Sequence, residues 1–174
     1  MSVDTNTGVD GELAETVEDL TGFTSDGSQY LTFRLLDEEY GVDILQVQEI
    51  KNYSHITPIP NTPTHVKGAM NLRGTVVPIV DLRLKFSLPP SEYTQYTVII
   101  VVTIGTRVVG LVVDAVNDVL NVSADDCEPP PSLGGEVDTS FITGLAKHDD
   151  RLITLLNIDK LVGTEGRPTE ASEN

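Results

Sequence analysis

"VKGAMNLRGTVVPIVDLRL", residues 66–84, and "ITGLAKHDDRLITLLNIDKL", residues 142–161, align without a gap when Gly68 is set on Gly144, 76 residues further along the chain. Val76 and Val77 then fall on Leu152 and Ile153, Ile79 and Val80 on Leu155 and Leu156, and Leu82 on Ile158. An earlier hairpin repeats too. "YLTFRLL" (30–36) alternates apolar and polar residues, Asp37-Glu38-Glu39 turns the chain, and "YGVDI" follows. "TVIIVVTI" (97–104), "GTR" and "VVGLVV" (108–113) give the same hairpin in more continuously apolar form, the pattern of strands covered on both faces. Gly41 corresponds to Gly110 in this reading, and Asp43 to Asp114.

The chain therefore reads as two copies of one unit, each of roughly sixty residues. Each unit has a hairpin, a short Asp-capped segment, a Pro-containing crossing and a second hairpin. Short helices are expected at 43–50, where Asp43 and Gln46 form a capping-box pattern and Ile44, Val47 and Ile50 recur at helical spacing, and around 62–68. Short strands with regular Gly and Pro turns imply a mainly β fold of two small barrels sharing an interface, joined near "SLPPSEY" (87–93).

Composition limits the partners. Eleven Lys and Arg against 27 Asp and Glu give a net charge of -16, which repels polyanions, and the cations are scattered. With no Trp and 5% aromatic residues, the chain also lacks the basic, aromatic face of a nucleic-acid-binding barrel. Nucleic acid and direct membrane insertion are not expected. The opening "MSVDTNTGVDGE" lacks a cationic region followed by an apolar one, and the expected location is the cytoplasm. Residues 1–28 carry acids, no Lys or Arg, and few large apolar residues, so they are expected to be a disordered acidic tail. Residues 163–174 are expected to be a second tail, with the folded part at 29–162 divided into barrels of roughly 29–88 and 95–162 and strands exchanged between them.

Catalytic chemistry finds little support. His55, His65 and His148 have no metal-ligand spacing, and the single cysteine, Cys127, lies in an acidic, Pro-rich turn that raises a thiol pKa. There is no GxSxG, phosphate loop or dinucleotide-binding motif, and the paired carboxylates Asp125-Asp126 and Asp149-Asp150 read as solvated turns. No catalytic residue, cofactor or metal is expected. A small enzyme remains open to an activity assay.

Arg73 is the residue that stands out. Its aligned position is Asp149, so the repeated fold does not demand an arginine there. One reading is an exposed residue in the turn "NLRG". The other pairs Arg73 with Glu49, orienting two elements while leaving guanidinium donors for a partner.

"EEYGVDILQVQEI", "NTPTHVKGAMNLRGTVVPIVDLRLKF", "VVGLVVDAVNDVL" and "LITLLNIDKL" together resemble the bacterial chemotaxis coupling proteins, the CheW family, from about Tyr30 to Val162. The resemblance implies two five-stranded SH3-like barrels packed together, with intertwined terminal strands and a few short helices. It also implies a non-enzymatic adaptor that couples the cytoplasmic tips of methyl-accepting chemoreceptors to the regulatory domain of the CheA histidine kinase and is recruited to receptor arrays at the inner face of the membrane. A CheW-like scaffold of another chemosensory pathway, such as pilus motility or second-messenger control, is the alternative. Carried over by motif, the receptor surface would comprise Ile44, Val47, Glu49 and Arg73, with Val98 and Val119 across a groove. The kinase surface would use Lys67, Val76 and Leu133, the last in a "PPPSLGG" loop that departs from the family pattern.

Overall fold

The computed structural model describes residues 27–130 and 140–162. The first hairpin is β1 (Gly27–Leu35) and β2 (Glu38–Asp43), followed by β3 (Val47–Asn52). Next come the hairpin β4 (Val66–Leu72) and β5 (Thr75–Asp81) and the one-turn helix α1 (Leu82–Lys85). The second half has β6 (Val98–Ile104), β7 (Arg107–Val113) and β8 (Ala115–Ser123), then the two-residue β9 (Cys127–Glu128). It ends with β10 (Ile142–His148), β11 (Arg151–Leu156) and α2 (Ile158–Val162). Strand β1 thus starts slightly before the composition break at 28, and the rest of the expected acidic tail, like the expected tail at 163–174, lies outside the described residues.

The fold is mainly β, in two packed sheets. One has the order β3-β6-β7-β5-β4, and the other β9-β10-β11-β2-β1-β8. The five-stranded expectation therefore holds for one sheet, while the other gains the short β9. Hairpin β1–β2, from the first half of the chain, lies in the sheet built mostly from the second half, and hairpin β6–β7 lies in the other.

The repeat holds at the level of register. Phe33 faces Val116 as Val102 faces Val47, Leu31 faces Val119 as Ile100 faces Ile50, and Gln29 faces Asn121 as Val98 faces Asn52. Across the later hairpins, Gly68 faces Ile79 and Gly144 faces Leu155, each beside a bulge. The parallel contacts repeat as well, with Leu155 opposite Gly41 and Ile79 opposite Gly110. Close approach explains those two glycines: a Cβ on Gly110 would lie 2.6 Å from Ile79 Cδ1, and one on Gly41 would lie 3.1 Å from Leu155 Cδ2.

Three local expectations are corrected. Residues 43–50 do not form a helix: only Ile44–Gln46 makes a 3-10 turn, capped by Asp43, and the chain then extends into β3. The β-branched Val47 and Ile50 serve the ladder to β6, and that pairing overrides the helical spacing. Around 62–68 the chain turns and enters β4. Asp43 faces Tyr30 as Val112 faces Ile99, so the counterpart of Asp43 is Val112 rather than Asp114, and Asp114 corresponds instead to Leu45.

The sheets share one core. Leu31, Phe33, Leu35 and Val42 from one sheet meet Ile100, Val102, Leu111 and Val113 from the other, closed by Leu156, Ile158 and Leu161. Two smaller clusters fill the opposite faces, around Ile79, Ile99 and Val101 in one sheet and around Leu120, Ile153 and Leu155 in the other. Alternate residues of β6 thus enter different cores, which accounts for its uninterrupted apolar run. Each fully buried side chain of this size contributes about 1.5 to 3 kcal/mol, so this double coverage fixes the strands that carry the surfaces described next.

Candidate docking surfaces

Asp43 begins the first surface. Its Oδ1 accepts a hydrogen bond from Leu45 N at 2.9 Å, holding the 3-10 turn through which the chain passes from one sheet into the other. Ile44 and Val47 lie partly buried against the shared core, as does Val98, which faces Asn52 on the β3–β6 ladder. Glu49 lies on β3, at one edge of its sheet, and Arg73 tops the β4–β5 hairpin at the other edge. They form an ion pair through one guanidinium nitrogen, Nη2, while the Arg73 side chain remains 65% exposed. That hydrogen bond holds the Glu49 carboxyl below its ordinary pKa and raises that of Arg73. A contact between opposite edges requires the sheet to curl on itself, so this pair closes the barrel. Both sequence readings of Arg73 hold in part: it occupies the turn, at φ 50°, and it pairs with Glu49.

Val119 does not join this group through the ladder. It lies on β8 in the other sheet, opposite Leu31 and half-exposed.

Lys67 and Val76, of the second surface, share a hairpin. Lys67 lies on β4, with its Nζ 5.8 Å from the centroid of the Tyr93 ring, within cation–π range. Tyr93 packs on Tyr53 and donates its hydroxyl to Asp81 Oδ2 at 2.6 Å, while Asp81 Oδ1 accepts from Arg83 N to cap α1. Burial, followed by the Asp81 carboxylate, pushes the Tyr93 hydroxyl up and keeps it protonated. Val76 projects from β5 and is 72% exposed, as is its repeat counterpart Leu152 at 56%. A position that is apolar and exposed in both copies belongs to no core. Arg73 and Val76 lie three residues apart at one end of one hairpin. Leu133 lies outside the described residues.

Sequence reasoning missed Arg151. Its Nε and Nη2 donate to the two Glu39 oxygens at 2.9 and 2.6 Å, and its Nη groups reach Asp118 at 3.1 and 3.3 Å. Asp118 is the repeat counterpart of Glu49, so both barrels are closed by an arginine on an equivalent carboxylate. The ungapped alignment hid this, because the second arginine sits two residues beyond the position matching Arg73. The exposed Leu45 and Ile50 were also hidden, Leu45 unremarked and Ile50 assigned to a helix face.

Burial, with Asp126 adding to it, raises the Cys127 thiol pKa, and no helix among the described residues is long and apolar enough to cross a membrane. Two sheets that exchange hairpins and share one core define the fold class. Residues 29–165 match the CheW-like domain model, and the chain belongs to the CheW family. It is 47% identical over 150 residues to the chemotaxis protein CheW of Klebsiella aerogenes, covering 86% of this chain and 90% of that one. It is 40% identical over 144 residues to CheW of Rhizobium meliloti, covering 83% and 93%. The crystal structure of the scaffolding protein TtCheW from Thermoanaerobacter tengcongensis superposes with a TM-score of 0.74 at 35% identity, covering 83% of this chain and 98% of that one.

Proposed function

We propose that this protein is a non-catalytic adaptor that couples chemoreceptor tips to the regulatory domain of the CheA kinase, working in receptor arrays at the inner face of the membrane. The observation that carries the reading is the Arg73–Glu49 pair, which leaves guanidinium donors exposed while Glu49 continues the segment that carries the partly buried Ile44 and Val47. Such a pairing suits a receptor helix bearing an apolar stripe and a carboxylate. Val98 and Val119 extend the receptor surface. Lys67, Val76 and Leu133 contribute to the kinase surface, where the exposed Val76 is the apolar contact.

Binding of a soluble receptor-tip fragment and of the CheA regulatory domain tests this reading. Arg73→Glu, which places two carboxylates together, should lose the tip and keep the kinase domain, and Val76→Glu should do the reverse. Either variant alone, or a mixture of the two, should fail to couple receptors to kinase activity, since neither molecule holds both partners. Because both residues stand on one hairpin, loss of both partners by both folded variants would replace the two-surface scheme with a single shared surface.

A further inference from the structure

We infer that Leu45 is the apolar anchor of the receptor-facing surface and takes a helix carrying an acidic residue about two turns from the apolar residue that covers the leucine. The inference rests on the proposed adaptor role and extends it to a residue outside the motif-based assignments.

Leu45 is 87% exposed, more than any other large apolar side chain among the described residues. Its backbone is nonetheless fixed. Asp43 Oδ1 accepts from its N–H at 2.9 Å, Val47 N closes the turn on Ile44 O, and the neighbouring Gln46 donates its Nε2 to Asp159 Oδ1 on α2 at 3.1 Å. An apolar side chain on an immobilised turn loses little backbone freedom when it is covered by a partner.

The internal repeat shows that the fold does not need a leucine there. The register places Leu45 on Asp114 and Arg83 on Asp159. At the Asp114 crossing the locking contacts are internal: Arg83 donates Nε and Nη2 to the Asp114 carboxylate at 2.8 and 2.5 Å, and Leu36 N donates to it at 2.8 Å. At the Leu45 crossing the lock moves one residue along, to Gln46 on Asp159, and residue 45 is released to face water. One copy uses the position for stability, whereas the other leaves an apolar surface unsatisfied.

Charge defines the occupant. Within a chain of net charge -16, the strand that follows Leu45 carries Lys51, and its Glu49 is already neutralised by Arg73. Leu45 sits in the 3-10 turn and Glu49 two residues beyond the start of β3, so at rises of about 2 Å per residue in the turn and about 3.3 Å in the strand their backbones lie no more than about 11 Å apart. Two helical turns span about 11 Å, so one helix face can cover Leu45 and present a carboxylate to Arg73.

Titration of Leu45→Ser and Leu45→Met against a soluble helical-hairpin fragment of a methyl-accepting receptor tip decides the matter. The serine variant should bind at least about tenfold more weakly at an unchanged melting temperature, and the methionine variant should stay within about threefold of the parent, as expected for loss and retention of an apolar anchor. In the complex the Leu45 methyl resonances should shift. Parental affinity in the serine variant, with those resonances unmoved, overturns the role of Leu45 and leaves the adaptor reading standing. Failure of the parent protein to bind the tip at all overturns the adaptor reading itself, and this inference with it.

Discussion

The two barrel closures use the same chemistry to different ends. Arg151, on β11, grips Glu39 with two nitrogens and reaches Asp118, joining three strands, and Asn117 and Thr32 supply further hydrogen bonds to those carboxylates. Its own side chain is 31% exposed and that of Glu39 is 19% exposed. Arg73, displaced to the tip of the equivalent hairpin, holds Glu49 through one nitrogen and is twice as exposed. The second closure is a many-partner structural joint. The first is a lighter joint with donors to spare, and the proposed recognition role rests on that surplus.

The glycines under the crossing segments give the largest test of the same asymmetry. Gly68 has φ 142°, and a Cβ there would fall 2.0 Å from the carbonyl oxygen of Thr57, whose backbone is tied to Ala69 by bonds of 2.8 and 2.9 Å. Gly144, at the matching register, has ordinary φ and would place its Cβ 2.9 Å from Glu128 O on the short β9. Gly68→Ala should cost more than about 3 kcal/mol, the range for strain with backbone displacement. Gly144→Ala should cost roughly half as much, since a two-residue strand can shift. Equal losses in chemical denaturation would show that the two crossings are held alike.

Arg151→Ala comes next. It leaves a mostly buried Glu39 without its guanidinium, for a loss of about 1 to 3 kcal/mol after discounting the more exposed Asp118, or a fall in Tm of roughly 3 to 8 °C. The Arg151 hydrogen bonds are the leading cause of the lowered pKa of both Glu39 and Asp118. A carboxylate whose pKa is depressed by folding contributes stability above its unfolded pKa and loses it as pH falls through the folded value. The difference between parent and variant should therefore be full at neutral pH and shrink below about pH 4, the unfolded carboxylate range. A difference that stays constant down to pH 2 would assign the effect to packing of the arginine stem.

Much of this was legible in the sequence, and the failures share a cause. The repeat, both hairpins and the double burial of β6 follow from apolar periodicity, which reports which faces are covered. Periodicity could not separate a 3-10 turn plus strand from a helix at Ile44, Val47 and Ile50, because apolar residues three apart suit both when a bulge shifts the register between Val47 and Glu49. Nor could it find Arg151, whose role depends on two carboxylates more than thirty residues away on other strands. The pairing of Arg73 with Glu49 is reachable because Arg73 interrupts an apolar stretch and Glu49 lies in the segment that starts at the Asp43 cap. The outward face of Leu45 emerged only once the register set it on Asp114.

Arg73→Ala should have the smallest effect on stability and so sharpen the contrast most. Water replaces the lost partner of a guanidinium that is already 65% exposed, and Glu49, relieved of its nearest cation, still has Lys51 nearby. The melting temperature should move by less than about 2 °C, within the span of an ordinary surface substitution. Binding to a receptor tip should nevertheless weaken about tenfold or more, and the parent's affinity should fall with added salt more steeply than the variant's, because a charge-assisted contact has been removed from one of them only. A loss of stability comparable to that of Arg151→Ala would mean that Arg73 is a closure like its counterpart. Its exposed donors would then be incidental to the joint, and recognition would have to rest on the apolar residues beside it.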